Sequence, residues 1–132
     1  MLEGSLPADR GEEGHAPSLT PEEDIARAIQ RFEDEYMGRS SKSVRVYVVG
    51  DIVLVRAKGI LSPAERQLAS TEEGRVLIKQ LWVKEMEGLK TVLRYNMERL
   101  LRTPVSGLSA DIDPEEDEWL VIVRLKRQLT GL

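Results

Sequence analysis

The sequence predicts an α+β fold: a four-stranded antiparallel sheet made of two hairpins, with helices packed on one face, in the order α-β-β-α-α-β-β. Three observations carry this. Residues 44–57 alternate in polarity on either side of Gly50-Asp51, the signature of a two-residue hairpin turn. Residues 105–125 hold a second pair of strand-like runs separated by the polar loop Pro114-Glu115-Glu116-Asp117-Glu118. The segments before and between the hairpins carry helix caps and helical apolar spacing.

Residues 1–19 come first. They hold Gly, Pro and acids without periodicity, and the expectation is a disordered acidic tail of net charge −3. Residues 20–132 are then one domain, of a size that folds without disulfides or metal. Thr20 caps the first helix, with Pro21 at its first position and Glu23 placed for a capping box. Ile25, Ile29, Phe32 and Tyr36 form its apolar stripe, and Gly38 is placed to end it with positive φ. In the first hairpin a turn at Gly50-Asp51, of type II′ or I′, sets Val48 opposite Val53, Val46 opposite Val55 and Val44 opposite Ala57. That face is aliphatic and belongs under the helices. The other face pairs Val49 with Ile52, Tyr47 with Leu54 and Arg45 with Arg56.

Ser62, Pro63 and Glu65 open a short second helix that ends near Ser70. Ser70-Thr71-Glu72-Glu73 then caps a helix running to about Arg102, where Thr103-Pro104 stops it. This helix is about 45 Å long if straight. Its main stripe is Ile78, Trp82, Met86, Leu89, Leu93, Met97 and Leu100. Leu77, Leu81 and Val92 widen it on one flank, and Val76, Val83 and Leu101 on the other. So wide an apolar surface is expected both to lie deep against the sheet and to meet a second subunit. Gly88 in mid-helix marks a bend or a close helix crossing. In the last hairpin, Trp119, Val121, Val123 and Leu125 share one face of the final strand, and Leu120, Ile122 and Arg124 the other.

Composition excludes several chemistries. The chain has no cysteine, so no thiol nucleophile, Cys-ligated zinc or iron–sulfur cluster can form. Its one histidine, His15, lies in the tail, so a Ser-His-Asp triad or a multi-histidine metal site is not expected. No cofactor and no metal is expected. The net charge is −4, leaving the domain near neutral without its tail, and no nucleic-acid partner is expected. No apolar run reaches the roughly 18 residues of a membrane span. The N-terminus lacks the basic start and apolar stretch of a signal peptide, so a cytoplasmic location is expected.

Two constellations stand out. Arg45 and Arg56 face each other across the hairpin, a pairing that costs up to about 1 kcal/mol unless relieved. Relief comes from exposure and from carboxylates such as Asp111 and Asp113, or else Arg45, Arg56 and Arg124 together hold a small anion or a partner's carboxylate. Beside them, Tyr47, Val49, Ile52, Leu54, Leu120 and Ile122 form an apolar patch on the face away from the helices. Such patches mark association surfaces, most simply of a homodimer. The carboxylate runs read as solvated faces, and Gly38-Arg39-Ser40-Ser41-Lys42 lacks the spacing of a phosphate loop.

Residues 32–39 (FEDEYMGR), the hairpin from Val44 to Lys58, Leu61 to Ala69 (LSPAERQLA) and Glu73-Gly74-Arg75 resemble the MpsC family, also called the YbcI-like domain. The resemblance spans about residues 22–126. It implies a small soluble bacterial accessory or regulatory subunit of a sodium-translocating, membrane-potential-generating system. The membrane components of that system are linked to inorganic-carbon uptake. It assigns no catalytic residue. The function expected is therefore non-enzymatic: protein association, a membrane transport component among the partners, and small-anion sensing. The alternative is a small-molecule-binding enzyme that uses Arg and carboxylate groups in a concave pocket.

Overall fold

A computed structural model describes residues 3–7 and 20–129. The elements run β1 (Glu3–Pro7), α1 (Pro21–Phe32), a π-helical turn (Glu33–Met37), β2 (Ser43–Val49), β3 (Ile52–Lys58), α2 (Pro63–Leu68), α3 (Glu72–Leu101), β4 (Val105–Asp113) and β5 (Glu118–Leu125). The sheet is antiparallel throughout, in the order β1-β2-β3-β5-β4. The two expected hairpins form its last four strands, and the helices lie on one face.

The fifth strand is the departure. β1 pairs with β2, with Glu3 opposite Tyr47 and Pro7 opposite Ser43. It falls within the stretch whose composition reads as a disordered tail. Its backbone supplies hydrogen bonds to an otherwise open sheet edge, a pairing that depends on β2 and not on any alternation within EGSLP. Residues 1–2 and 8–19 of the expected tail lie outside the described residues.

The Gly50-Asp51 turn has the expected register, from Val49 opposite Ile52 to Ser43 opposite Lys58. Gly50 has φ +61° and Asp51 has no positive φ, which favours type II′ over type I′. Val44, Val46, Val53, Val55 and Ala57 are fully buried, as are Trp119, Val121 and Val123 on β5. Against them α1 places Ile25, Ala26, Ile29 and Phe32, and α3 places Ile78, Trp82, Met86, Leu93 and Met97. The two indoles meet at 5.9 Å between ring centroids, tilted by 51°. At about 25 cal/mol per Å², a buried indole of roughly 200 Å² contributes about 5 kcal/mol of transfer free energy before entropy.

The helix starts follow their caps. Thr20 Oγ1 accepts from Glu23 N at 3.2 Å. Ser62 and Glu65 form a complete capping box. Thr71 Oγ1 accepts from Gly74 N at 3.0 Å. The end of the first helix differs from expectation. After Phe32 the backbone widens into a π-turn before Gly38 closes it with φ +61°. The wider turn takes Tyr36 out of the stripe, leaving it 47% exposed with its ring 5.1 Å from that of Phe32. Glu33 instead turns inward, fully buried, and accepts from Ser41 N and Ser41 Oγ at 3.1 and 2.9 Å.

The long helix is also shallower than its composition suggests. One stripe is buried, while Val76, Leu77, Leu81 and Val83 are all exposed by 46% or more. No described helix is long and apolar enough to cross a membrane.

Candidate association face and the charged clusters beside it

Register sorts the outer side of the sheet into rows. Arg45, Arg56, Leu120 and Asp111 make one row across β2, β3, β5 and β4. Tyr47, Leu54, Ile122 and Ser109 make the next, and Val49, Ile52, Arg124 and Gly107 the third. Tyr47, Ile52, Leu54, Leu120 and Ile122 are half-buried and Val49 is exposed. The six residues expected to form an apolar patch are thus contiguous on the face opposite the helices.

Arg45 and Arg56 stand directly opposite each other. Arg124 is four residues further along, in register with Ile52, which puts it about 13 Å from the pair at 3.3 Å per residue. The carboxylate that meets Arg56 is neither Asp111 nor Asp113. Arg56 Nε donates to Glu118 Oε2 at 2.6 Å, and the Glu118 side chain is only 8% exposed. That hydrogen bond and the charge of Glu118 hold the Arg56 guanidinium above its ordinary pKa, with Tyr47 adding to the effect. Asp111 reaches instead to Lys79 on α3 at 3.7 Å, and Asp113 Oδ1 accepts from the amides of Glu115 and Glu116. Among the described residues no three His, Cys, Asp or Glu side chains gather to hold a metal ion.

A second cluster, on the helix side, went unnoticed in the sequence. Arg39 follows the Gly38 helix end and forks onto Glu65: Nη1 donates to Oε1, and Nη2 donates to Oε2 at 2.9 Å. Nη2 also donates to Glu85 Oε1 at 3.3 Å, and the guanidinium lies 4.3 Å from the Trp82 ring centroid. Both side chains of the Arg39–Glu65 pair are 11% exposed. Burial by itself raises the Glu65 carboxyl, but the Arg39 hydrogen bonds, the Ser62 amide and the Arg39 charge outweigh it and hold the group below its usual range. Burial likewise lowers Arg39, and Glu65 and Glu85 outweigh it to leave the guanidinium raised. This cluster ties the end of the π-turn to α2 and α3. Asp117 ties the β4–β5 loop to the same corner, accepting from Leu61 N at 2.8 Å and lying 3.6 Å from Arg66. The only local signals were the Ser62 capping box and the i, i+3 spacing of Trp82 and Glu85. Neither points to Arg39.

Fold and surfaces together define a small antiparallel α+β domain, with one sheet face closed by helices and the other left half-apolar between arginines. The chain belongs to the MpsC family, described as "Na+-translocating membrane potential-generating system (MpsC)", which it matches over residues 19–127. It is 30% identical over 112 residues to the uncharacterized protein YbcI of Bacillus subtilis (strain 168), covering 82% of this chain and 87% of that protein. No solved structure matches.

Proposed function

We propose that this chain is a non-enzymatic, cytoplasmic accessory protein of a membrane-potential-generating system. It acts by docking a soluble segment of a membrane component on the outer face of its sheet. The observation that carries the reading is that face itself. The apolar row Tyr47/Leu54/Ile122 lies between the row of Arg45 and the row in which Val49 and Ile52 stand beside the exposed Arg124. An apolar centre with the exposed Arg124 at its edge fits a segment that offers apolar side chains and a carboxylate. The family description, a sodium-translocating membrane-potential-generating system, supports the choice of a membrane component as partner.

The test is co-sedimentation of the purified chain with membrane vesicles that carry the membrane subunits of the system. The wild-type chain is expected to sediment with them. Leu54→Asp and Ile122→Asp are expected to lose binding by tenfold or more, because each buries a charge at the centre of the contact. Both positions are half-buried on a face without helices, so the variants are expected to keep their far-ultraviolet circular dichroism. Folded variants that sediment as well as wild type would overturn the reading.

A further inference from the structure

The exposed side of α3 has a feature that the fold does not use. Leu77, Leu81, Lys84, Gly88, Thr91 and Tyr95 recur at intervals of four, three, four, three and four residues. That is the 3.5-residue spacing of a helix–helix seam. Leu77, Leu81 and Tyr95 are 50%, 46% and 56% exposed, so the seam has no cover among the described residues. Gly88 sits at its middle and is exposed. A Cβ built there meets nothing within 4 Å. Glycine in mid-helix weakens the helix relative to alanine, and no packing among the described residues requires it here. A close approach by a second backbone would.

The positions of the apolar residues say which backbone. Leu81 and Tyr95 lie seven residues before and seven after Gly88. Two copies of α3 crossing antiparallel with Gly88 against Gly88 therefore set Leu81 of each against Tyr95 of the other. The same operation sets Lys84 against Val92, and Leu77 against Arg99, whose guanidinium is 5.6 Å from the Tyr95 ring of its own chain. The contact runs from Leu77 to Arg99, about 33 Å of helix. An isologous contact must be self-complementary about its axis, and Gly88 with the Leu81–Tyr95 pair on each side of it is.

We propose that the chain is a homodimer through α3, in an antiparallel crossing centred on Gly88. The sheet face stays open for another protein. This inference is independent of the proposed function: it reads out as mass, whereas the sheet face reads out as membrane binding.

The chain has no cysteine, so a cross-link is diagnostic. The double variant Leu81→Cys/Tyr95→Cys is expected to oxidise to a covalent dimer. Each single variant is expected not to, because equivalent positions lie about 21 Å apart along the crossed helices. By light scattering, wild type is expected at twice the 14.9 kDa chain mass. Gly88→Leu is expected at the monomer mass, with circular dichroism unchanged and membrane binding retained. A monomeric wild type at 100 µM, a Gly88→Leu dimer, or single variants that cross-link as well as the double would each overturn the proposal. So would loss of the dimer in Leu54→Asp alone, which would move the interface to the sheet.

Discussion

Replacing Glu65 by Gln is the sharpest test of how this fold is held at its charged corner. Glutamine keeps the shape of the side chain but removes the charge that Arg39 faces. Arg39 is left in its buried position over Trp82, with Glu85 at 3.3 Å as the remaining carboxylate. Breaking a buried pair by removing one partner costs about 3–5 kcal/mol, and the Glu85 contact places this case near 3 kcal/mol. For a domain near 100 residues that lowers the melting temperature by roughly 12 °C or more. Urea unfolding at pH 7 measures the difference directly. A second arm follows from the lowered Glu65 pKa. The stability it contributes is present above the unfolded carboxyl value of about 4.3 and is lost as pH falls through the lower folded value. Wild type therefore loses stability in acid that Glu65→Gln does not have to lose, and their difference shrinks from pH 7 to pH 3. A cost under 1 kcal/mol at pH 7, or a gap unchanged down to pH 3, would refute the reasoning.

Other consequences are checked in the same way. Gly74→Ala places a Cβ 1.8 Å from the Leu68 carbonyl oxygen, so α2 and α3 must separate. A loss of about 2–3 kcal/mol by urea unfolding is expected. Gly88→Ala meets open space, and at concentrations where the chain is monomeric it is expected to gain up to about 1 kcal/mol. Ser62→Ala removes half of the capping box and is expected to cost about 1 kcal/mol in the same assay. An anion that uses Arg56 must displace Glu118. If Arg45 and Arg56 hold bicarbonate, phosphate or sulfate, calorimetric titration of Glu118→Gln is expected to show tighter binding than wild type. An unchanged affinity removes the anion site.

Much of the fold was legible because its signals are local. Gly50-Asp51 fixed a register with period two, and every pair from Val49/Ile52 to Ser43/Lys58 followed from it. Thr20, Ser62 and Thr71 marked helix starts because a side-chain oxygen within three residues of the free amides is all a cap requires. The apolar face Tyr47, Leu54 and Ile122 was legible for the same reason as the core, since alternation assigns both sides of a strand at once. Tyr36 was misplaced because the helical stripe assumes 3.6 residues per turn, and the π-turn after Phe32 breaks that assumption.

Sequence alone thus determined the two hairpins, the dry and wet sides of the sheet, and the caps, all set by contacts within a few residues or by strict periodicity. Tertiary structure decided what depends on residues brought together from far apart. Glu118, 62 positions away, answers Arg56, and Arg39 finds Glu65 and Trp82 across three elements. It also decided that one stripe of α3 is covered and its flank is not, because how much of a helix the sheet can bury is fixed only once the layers are assembled.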